Sequence, residues 1–134
     1  MIRECEPTDY DSVKGVCARA EIPQVITRWE FDKRIKEGPD LFIVAEEDGR
    51  VVGATIATVG LRIGYVYLLA VDPNHQGHGV GSRLLQEICN RLKARGTGTI
   101  IVGMVPWGER RKQLDRFYKK HGFRAIGAIY AKRI

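Results

Sequence analysis

The sequence lacks the features that mark membrane-spanning and secreted proteins. No apolar run approaches the roughly 20 residues that a membrane-spanning helix needs. The first ten residues, MIRECEPTDY, contain no basic segment followed by an apolar one, so we expect no secretory signal peptide. Only three cysteines are present, an odd number, and none forms a CxxC pair. These absences predict a cytoplasmic protein with reduced thiols and no membrane association.

Acidic residues are scarce in the last third of the chain. Residues 91–134 contain twelve Lys and Arg against two Asp and Glu, a net charge of +10, whereas residues 1–90 contain ten against fourteen and carry −4. The whole chain carries +6. A basic half is compatible with nucleic acid, with a small polyanionic ligand or with a solvated surface, and charge alone leaves all three open.

The length of 134 residues and the hydrophobic fraction of 44% predict one globular domain, residues 1–134, with a substantial core. Repeats, low-complexity segments and linkers are absent from the sequence. Short β-prone runs and segments of helical periodicity follow one another in the order β-α-α-β-β-β-α-β-α-β. This order predicts an α/β domain with a mixed sheet of the α+β kind, in which a hairpin meander leads into parallel crossovers.

Local signals place the element boundaries. Asp48-Gly49 between two apolar runs predicts a two-residue hairpin. Thr8 is the predicted N-cap of the first helix, with Asp11 three residues on. Gly96 is the predicted C-cap of a helix that begins after three closely spaced glycines. The other predicted elements are a short first strand at residues 2–6, helices over 27–36 and 109–120, a strand over 99–105, and one or two closing strands in 123–134.

The three glycines, Gly77, Gly79 and Gly81, stand between a β-prone run and a helical segment. The free N–H groups and the dipole of a helix N-terminus bind phosphate, and glycines let phosphate oxygens approach the backbone. A nucleotide P-loop requires Gly-Lys-Ser/Thr, whereas Gly81 is followed by Ser82-Arg83. A dinucleotide fingerprint requires GxGxxG and an acidic residue about 20 residues on. The spacing here is GxGxG, and residues 96–108 contain no acid.

A third phosphate-binding pattern does match. The stretch QGHGVG, residues 76–81, fits Gln/Arg-x-x-Gly-x-Gly/Ala and resembles the pyrophosphate-binding signature of the GNAT superfamily of N-acetyltransferases. The preceding YVYLLAVDP, with Pro73, resembles the strand before that signature, and the hairpin LFIVAEEDGRVVGATI resembles the family's second and third strands. FYKKHGF resembles the family's Tyr-x-x-x-Gly-Phe, with Tyr118, Gly122 and Phe123 in register. The resemblance covers essentially the whole chain and is greatest to short, single-domain bacterial members.

The resemblance implies an enzyme that transfers an acetyl group from acetyl-CoA to a primary amine by direct attack. The strand backbone would pair with the pantetheine arm, and an N–H near Leu69 or Ala70 would polarise the thioester carbonyl. Tyr118 would be the catalytic acid that protonates the leaving thiolate. The implied residues that bind the acetyl-CoA co-substrate are Leu69, Ala70, Val71, Gln76, Gly77, His78, Gly79, Val80, Gly81 and Ser82.

The sequence departs from the family pattern at the general base. Many family members carry a glutamate early in the strand before the glycine signature, where this sequence has Tyr65, and residues 66–71 contain no carboxylate. A chain of ordered water, oriented by Tyr65 or Tyr67, is the hypothesis for removing the amine proton. The three histidines have no partners at metal-ligand spacing, so no metal is expected.

The resemblance implies that the acceptor is an amine of a small molecule or a peptide, and it does not identify which one. In the family the acceptor is recognised through segments that correspond to residues 21–36 and 106–110. Two other functions stay open: a catalytically weak acyl-CoA-binding sensor, and a basic nucleic-acid-binding module with steeply salt-dependent binding. Because the negatively charged CoA gives the basic half a partner, we expect no nucleic acid. The sequence is compatible with a monomer or a homodimer, and acyl groups other than acetyl also stay open.

Overall fold

The structure is a computed structural model that describes residues 1–22, 26–103, 109–127 and 130–134. It divides into two units, Met1–Gly103 and Met104–Ile134. The second unit contains helix α4 (Glu109–Lys120). The first unit contains the other elements, which are β1 (Ile2–Glu4), α1 (Tyr10–Arg19), α2 (Arg28–Glu37), β2 (Phe42–Glu47), β3 (Arg50–Gly60), β4 (Ile63–Val71), α3 (Val80–Ala94) and β5 (Thr99–Val102).

The turn between β2 and β3 lies at Asp48-Gly49. Both residues have left-handed backbone angles, with φ of 52° and 75°, and this conformation matches the twist of the two strands that it joins. β2 and β3 pair antiparallel from Phe42 opposite Ile56 to the turn, with an irregularity after Ala45. The structure therefore confirms the predicted hairpin.

The five strands form one sheet in the order β1-β2-β3-β4-β5. Neighbouring strands are antiparallel except for β4 and β5, which are parallel and are joined by α3. The structure confirms the predicted mixed sheet with a helical crossover. No helix in the described ranges is long and apolar enough to cross a membrane.

Helices cover both faces of the sheet. The apolar sides of α1 and α2 pack on one face, in a buried cluster that includes Val13, Val16, Phe31, Phe42, Val44, Ala54, Ile56, Leu68 and Ala70. Helix α3 lies against the other face, where Gly53 allows a close approach. A Cβ atom on Gly53 would lie 2.8 Å from Leu84 Cδ1 and 3.1 Å from Val80 Cγ1. A side chain at this position would therefore push the first turns of α3 away from the sheet.

Two predicted boundaries need correction. Helical structure begins earlier than Thr8, in a 3₁₀ turn at Pro7–Asp9, and the carboxylate of Asp9 accepts from the Glu6 N–H at 2.8 Å. Proline suits this position because it has no N–H group, and an N–H at the start of a helix would have no acceptor inside the helix. The described residues of the tail, 123–127 and 130–134, form no strand. Three large apolar side chains in these ranges, Ile126, Tyr130 and Ile134, are exposed, and a strand is stabilised by burying such side chains.

The remaining helix and strand boundaries lie close to the predicted ones. Thr27 caps α2 by accepting from the Glu30 N–H at 3.2 Å, and α2 ends at Glu37, before Gly38. Helix α3 ends where Gly96, with φ of 83°, follows Arg95. The predicted strand over 99–105 extends to Val102, and residues 104 and 105 lie outside the described residues.

Candidate active site

One edge of β4 loses its partner strand halfway along its length. β5 pairs with β4 only from Ile63 to Val66, and the Gly103 N–H then donates to the Val66 carbonyl at 3.0 Å. On the other side, β3 accompanies β4 as far as Val71. Within the described ranges, no strand pairs with residues 67–71 along the β5 side. An extended ligand can therefore add to this edge as a further strand would.

Two hydrogen bonds establish which residues face this unpaired edge. The Asp72 N–H donates to the Val52 carbonyl at 2.8 Å, and the Thr55 hydroxyl donates to the Leu68 carbonyl at 2.6 Å. Residues 68, 70 and 72 therefore direct their main-chain groups toward β3. Because successive residues of a strand point in opposite directions, Leu69 and Val71 direct theirs toward the unpaired edge.

Two tyrosines lie where β4 separates from β5. The β3–β4 register shifts between Ile56 and Ala57, which leaves Tyr67 as the extra residue of a bulge, and Tyr67 is 38% exposed. A Cβ on Gly103 would lie 3.2 Å from the Tyr65 hydroxyl. That hydroxyl therefore lies beside the end of β5. Neither β4 nor β5 contains a carboxylate.

The loop after β4 folds back on the strand end. It begins with a 3₁₀ turn at Pro73–His75, and the Gln76 side-chain amide donates to the Val71 carbonyl at 3.1 Å. Gly77 and Gly79 both have φ of 82°, a left-handed conformation that costs a residue with a side chain roughly 1–2 kcal/mol. These glycines allow the chain to reverse and enter α3.

The N-terminus of α3 has the geometry of an anion-binding site. Gly79 is the N-cap residue, and the Arg83 N–H donates to its carbonyl at 3.0 Å. By helix geometry, the amides of Val80 and Gly81 have no acceptor inside the helix, and the helix dipole adds partial positive charge there. The Val80 side chain is buried, so only its main chain is available to a ligand. The loop and this helix end together can hold a phosphate group.

Among the described residues, the candidate site contains one buried carboxylate, that of Asp72, and the whole residue is 6% exposed. One of its oxygens accepts from the Asn74 N–H at 3.0 Å, and the other accepts from Arg19 Nε at 2.8 Å. These hydrogen bonds hold the pKa of Asp72 below its usual value, although burial acts in the opposite direction. The sequence alone does not mark this residue as important. It shows that Asp72 lies between the strand and Pro73, but not that the residue has a partner on α1.

Tyr118 belongs to the second unit, in the last turns of α4. The Phe123 N–H donates to the Tyr118 carbonyl at 3.0 Å, and Gly122, with φ of 86°, lies between them. Burial raises the pKa of the Tyr118 hydroxyl, and the nearby Arg110 partly opposes this shift. The hydroxyl is therefore protonated at neutral pH and can serve as a proton donor.

Part of the expected acceptor site lies in residues that the structure does not describe. The segments implied in acceptor recognition, 21–36 and 106–110, include residues 23–25 and 106–108, which lie outside the described ranges. In the described part of the chain, no three His, Cys, Asp or Glu residues are grouped so that they could hold a metal ion.

Comparison with known proteins places this geometry in a family. The family model of the acetyltransferase (GNAT) domain matches residues 38–125. A protein from Photorhabdus laumondii named as an acetyltransferase is 30% identical over 103 residues, which cover 75% of this chain and 72% of the relative.

Solved structures share the fold. Ard1 from Thermoplasma volcanium matches with a TM-score of 0.82 and 26% identity, over 95% of this chain and 84% of the other. A Mycobacterium tuberculosis protein solved in complex with CoA matches with a TM-score of 0.78 and 21% identity, over 98% and 76% of the two chains. With the family model matching more than half of its residues, the chain belongs to the GNAT family of acetyltransferases and is an acyltransferase.

Proposed function

We propose that the protein transfers an acetyl group from acetyl-CoA to a primary amine of a small molecule or a peptide. The observation that carries the proposal is the continuity of the unpaired β4 edge with the glycine loop and the N-terminus of α3. An extended pantetheine arm needs main-chain partners, and a pyrophosphate needs N–H donors. Here both occur on one strand, loop and helix. The CoA complex of a protein with the same fold supports this assignment.

The main chain of β4 would align the thioester. Leu69 and Val71 direct their main-chain groups toward the unpaired edge. The Leu69 N–H and carbonyl and the Val71 N–H would pair with the pantetheine arm, since the Val71 carbonyl already accepts from Gln76. The Leu69 N–H would polarise the thioester carbonyl. Ala70 would hold this stretch in register through β3, with which it pairs at Ala54.

The pyrophosphate would lie against the loop and the first turn of α3. The N–H groups directed at it would come from Gly77, His78, Gly79, Val80, Gly81 and Ser82, and Gln76 would brace the loop against the strand end. Gly77 and Gly79 suit this role because neither presents a side chain to the ligand. A Cβ on Gly77 would meet no atom within 4 Å, so the approach to it is open.

The reaction requires one bond to form and one to break. The amine nitrogen attacks the carbonyl carbon, the C–N bond forms, and the C–S bond breaks to release the thiolate of CoA. Tyr118 would donate its proton to that thiolate, and water oriented by Tyr65 or Tyr67 would accept the proton that the amine loses. A neutral amine is needed because an ammonium group has no lone pair to attack with.

We further propose that residues 1–134 form a single domain. The family model spans residues 38–125 and thus crosses the boundary between the two structural units at residue 103. That match supports the assignment of both parts to one family domain.

Thermal melting with candidate ligands tests the proposal directly. Acetyl-CoA at 100 times its dissociation constant should stabilise the protein by about 2.7 kcal/mol, which raises Tm measurably. ATP, NAD and a short RNA at matched ionic strength should have no such effect. A panel of amines, followed by detection of released thiol, then identifies the acceptor. Stabilisation by RNA alone would overturn the proposal, whereas CoA binding without turnover of any amine would indicate a sensor.

A further inference from the structure

Asp72 joins three parts of the first unit at the point where β4 becomes the glycine loop. Its N–H bonds to Val52 of β3 and its carbonyl accepts from the His75 N–H, each at 2.8 Å. Its carboxylate accepts from Asn74 in the loop and from Arg19 at the end of α1. Asp72 therefore connects the sheet, the start of the loop and a helix that lies 53 residues away in the chain.

Arg19 is placed to make this contact by its own helix. It is the last residue of α1, where a positive charge interacts favourably with the helix dipole. A Cβ on Gly15, one turn earlier, would lie only 3.0 Å from Arg19 Nη1. A glycine inside a helix costs about 1 kcal/mol relative to alanine. Gly15 lies where the Arg19 guanidinium folds back along α1. Because Gly15 has no side chain, it leaves room for the guanidinium.

Because Asp72 is negatively charged, the positive charge of its partner Arg19 matters for a loop that binds an anion. A carboxylate at the start of a loop that binds pyrophosphate would repel the ligand, and a buried carboxylate without a partner is costly. The Arg19 side chain is half exposed, whereas that of Asp72 is 9% exposed. The guanidinium thus offsets the buried charge from the solvent side.

We propose that Arg19 is a positioning residue for coenzyme A, acting through Asp72 to hold the start of the glycine loop in its binding conformation and to neutralise the carboxylate at that point. The proposal rests on the proposed function, which assigns the loop to the pyrophosphate. It gives α1 a role in CoA binding, and the glycine motif alone does not predict that role.

The first test measures CoA affinity by calorimetry on the full chain. Arg19→Gln should raise the dissociation constant of CoA by roughly 3- to 30-fold, and Arg19→Lys, which keeps the charge, should recover part of that loss. The control is Arg95→Gln, because Arg95 makes a similar contact from the end of α3, with Nε 2.8 Å from Asp40. This control should lose stability but retain the CoA affinity of the wild type. Unchanged CoA affinity in Arg19→Gln would overturn the proposal.

A double-mutant comparison tests whether Arg19 acts through Asp72. In a background that carries Asp72→Asn, the further change Arg19→Gln should alter CoA affinity by less than about twofold, since the carboxylate it neutralises is gone. A full-sized effect of Arg19→Gln in that background would show that Arg19 acts on the ligand directly and would contradict the positioning role.

Hydrogen exchange on the unliganded protein separates this proposal from the proposed function. The amides of Asn74, His75 and Gln76 are hydrogen-bonded within the loop, and Arg19→Gln should speed their exchange by about tenfold. Exchange at the wild-type rate would overturn the positioning role. If the wild type binds no CoA, the proposed function fails, and this measurement still decides whether Arg19 holds the loop.

Discussion

The main-chain N–H of Phe123 donates to the Tyr118 carbonyl at 3.0 Å, while the two rings pack edge to face with centroids 5.7 Å apart. With the bond from the Gly122 N–H to the Lys119 carbonyl, these contacts form a Schellman motif at the end of α4. The spacing Tyr-x-x-x-Gly-Phe therefore has a structural cause that does not involve the Tyr118 hydroxyl. The ring of Tyr118 and its hydroxyl can therefore be tested separately.

Tyr118→Phe keeps the ring and removes only the hydroxyl. We expect turnover to fall by about 10²–10⁴-fold, because the thiolate loses its proton donor. The dissociation constant of CoA and Tm should change little. Steady-state rates with an identified amine, together with calorimetry, provide the measurement.

The matched variant is Phe123→Ala, which removes the ring contact with Tyr118 and keeps the Tyr118 hydroxyl. It should lower the unfolding free energy by about 1 kcal/mol. If Tyr118→Phe retains wild-type turnover, Tyr118 is not the acid and the motif serves only to end the helix.

Gly79→Leu should abolish CoA binding. A side chain at φ of 82° is strained, and at this position it would also project from the surface assigned to the pyrophosphate. Gly96→Leu is the control, since Gly96 has φ of 83° at the other end of α3. Both variants should lose roughly 1–2 kcal/mol of stability, and calorimetry should show CoA binding only in the control. Wild-type CoA affinity in Gly79→Leu would disprove the role of this loop.

Gly53→Ala should destabilise the first unit by about 1–3 kcal/mol in urea unfolding, because the added methyl collides with Val80 and Leu84 and with the Ala70 carbonyl at 3.1 Å. Gly60→Ala in the same strand is the control, since a Cβ there meets no atom within 4 Å. Equal stability of the two variants would show that α3 can move without cost.

Asp9 should make folding stability dependent on pH. Both of its carboxylate oxygens accept from Arg3, at 2.8 and 3.0 Å, and these bonds hold its pKa below the usual value. The unfolded chain therefore takes up the proton first as the pH falls. The contribution of Asp9 is complete above about pH 4 and is lost as the pH falls through the lower folded pKa.

Urea unfolding of Asp9→Asn across this pH range provides the measurement. At pH 7 the variant should be less stable by about 1–3 kcal/mol, and the difference from wild type should shrink as the pH falls below 4. Asp32→Asn, which breaks an exposed ion pair with Arg28 in α2, should cost less than about 1 kcal/mol. A deficit for Asp9→Asn that stays constant down to pH 2 would rule out this ionisation effect.

Much of the fold was predictable because its signals are local. The hairpin at Asp48-Gly49, the cap at Thr27 and the glycine after α3 each act within a few residues of chain. The predicted start of the first helix was wrong because part of its signal is less local. Asp9 accepts from the Glu6 N–H and also pairs with Arg3, and the pattern of capping residues does not reveal the second contact.

The candidate site was predictable only in part. The glycines and Tyr118 belong to recognisable motifs, whereas Gly53 and Arg19 carry no local mark of their roles. Gly53 matters because α3 crosses it, and Arg19 matters because Asp72 lies beyond the end of α1. Both relationships join residues that are far apart in the sequence.

The sequence by itself determined the order of the elements, the turns that separate them and the glycine-rich entry to α3, because backbone preferences are set by neighbouring residues. Only the tertiary structure decided how far the described part of β5 pairs with β4 and which residues of β4 face away from β3. The bulge at Tyr67 and the end of β5 at Val102 control that outcome. The tertiary structure also decided which cation neutralises Asp72, since an ion pair depends on distance in space and the packing of α1 on the sheet brings Arg19 within reach.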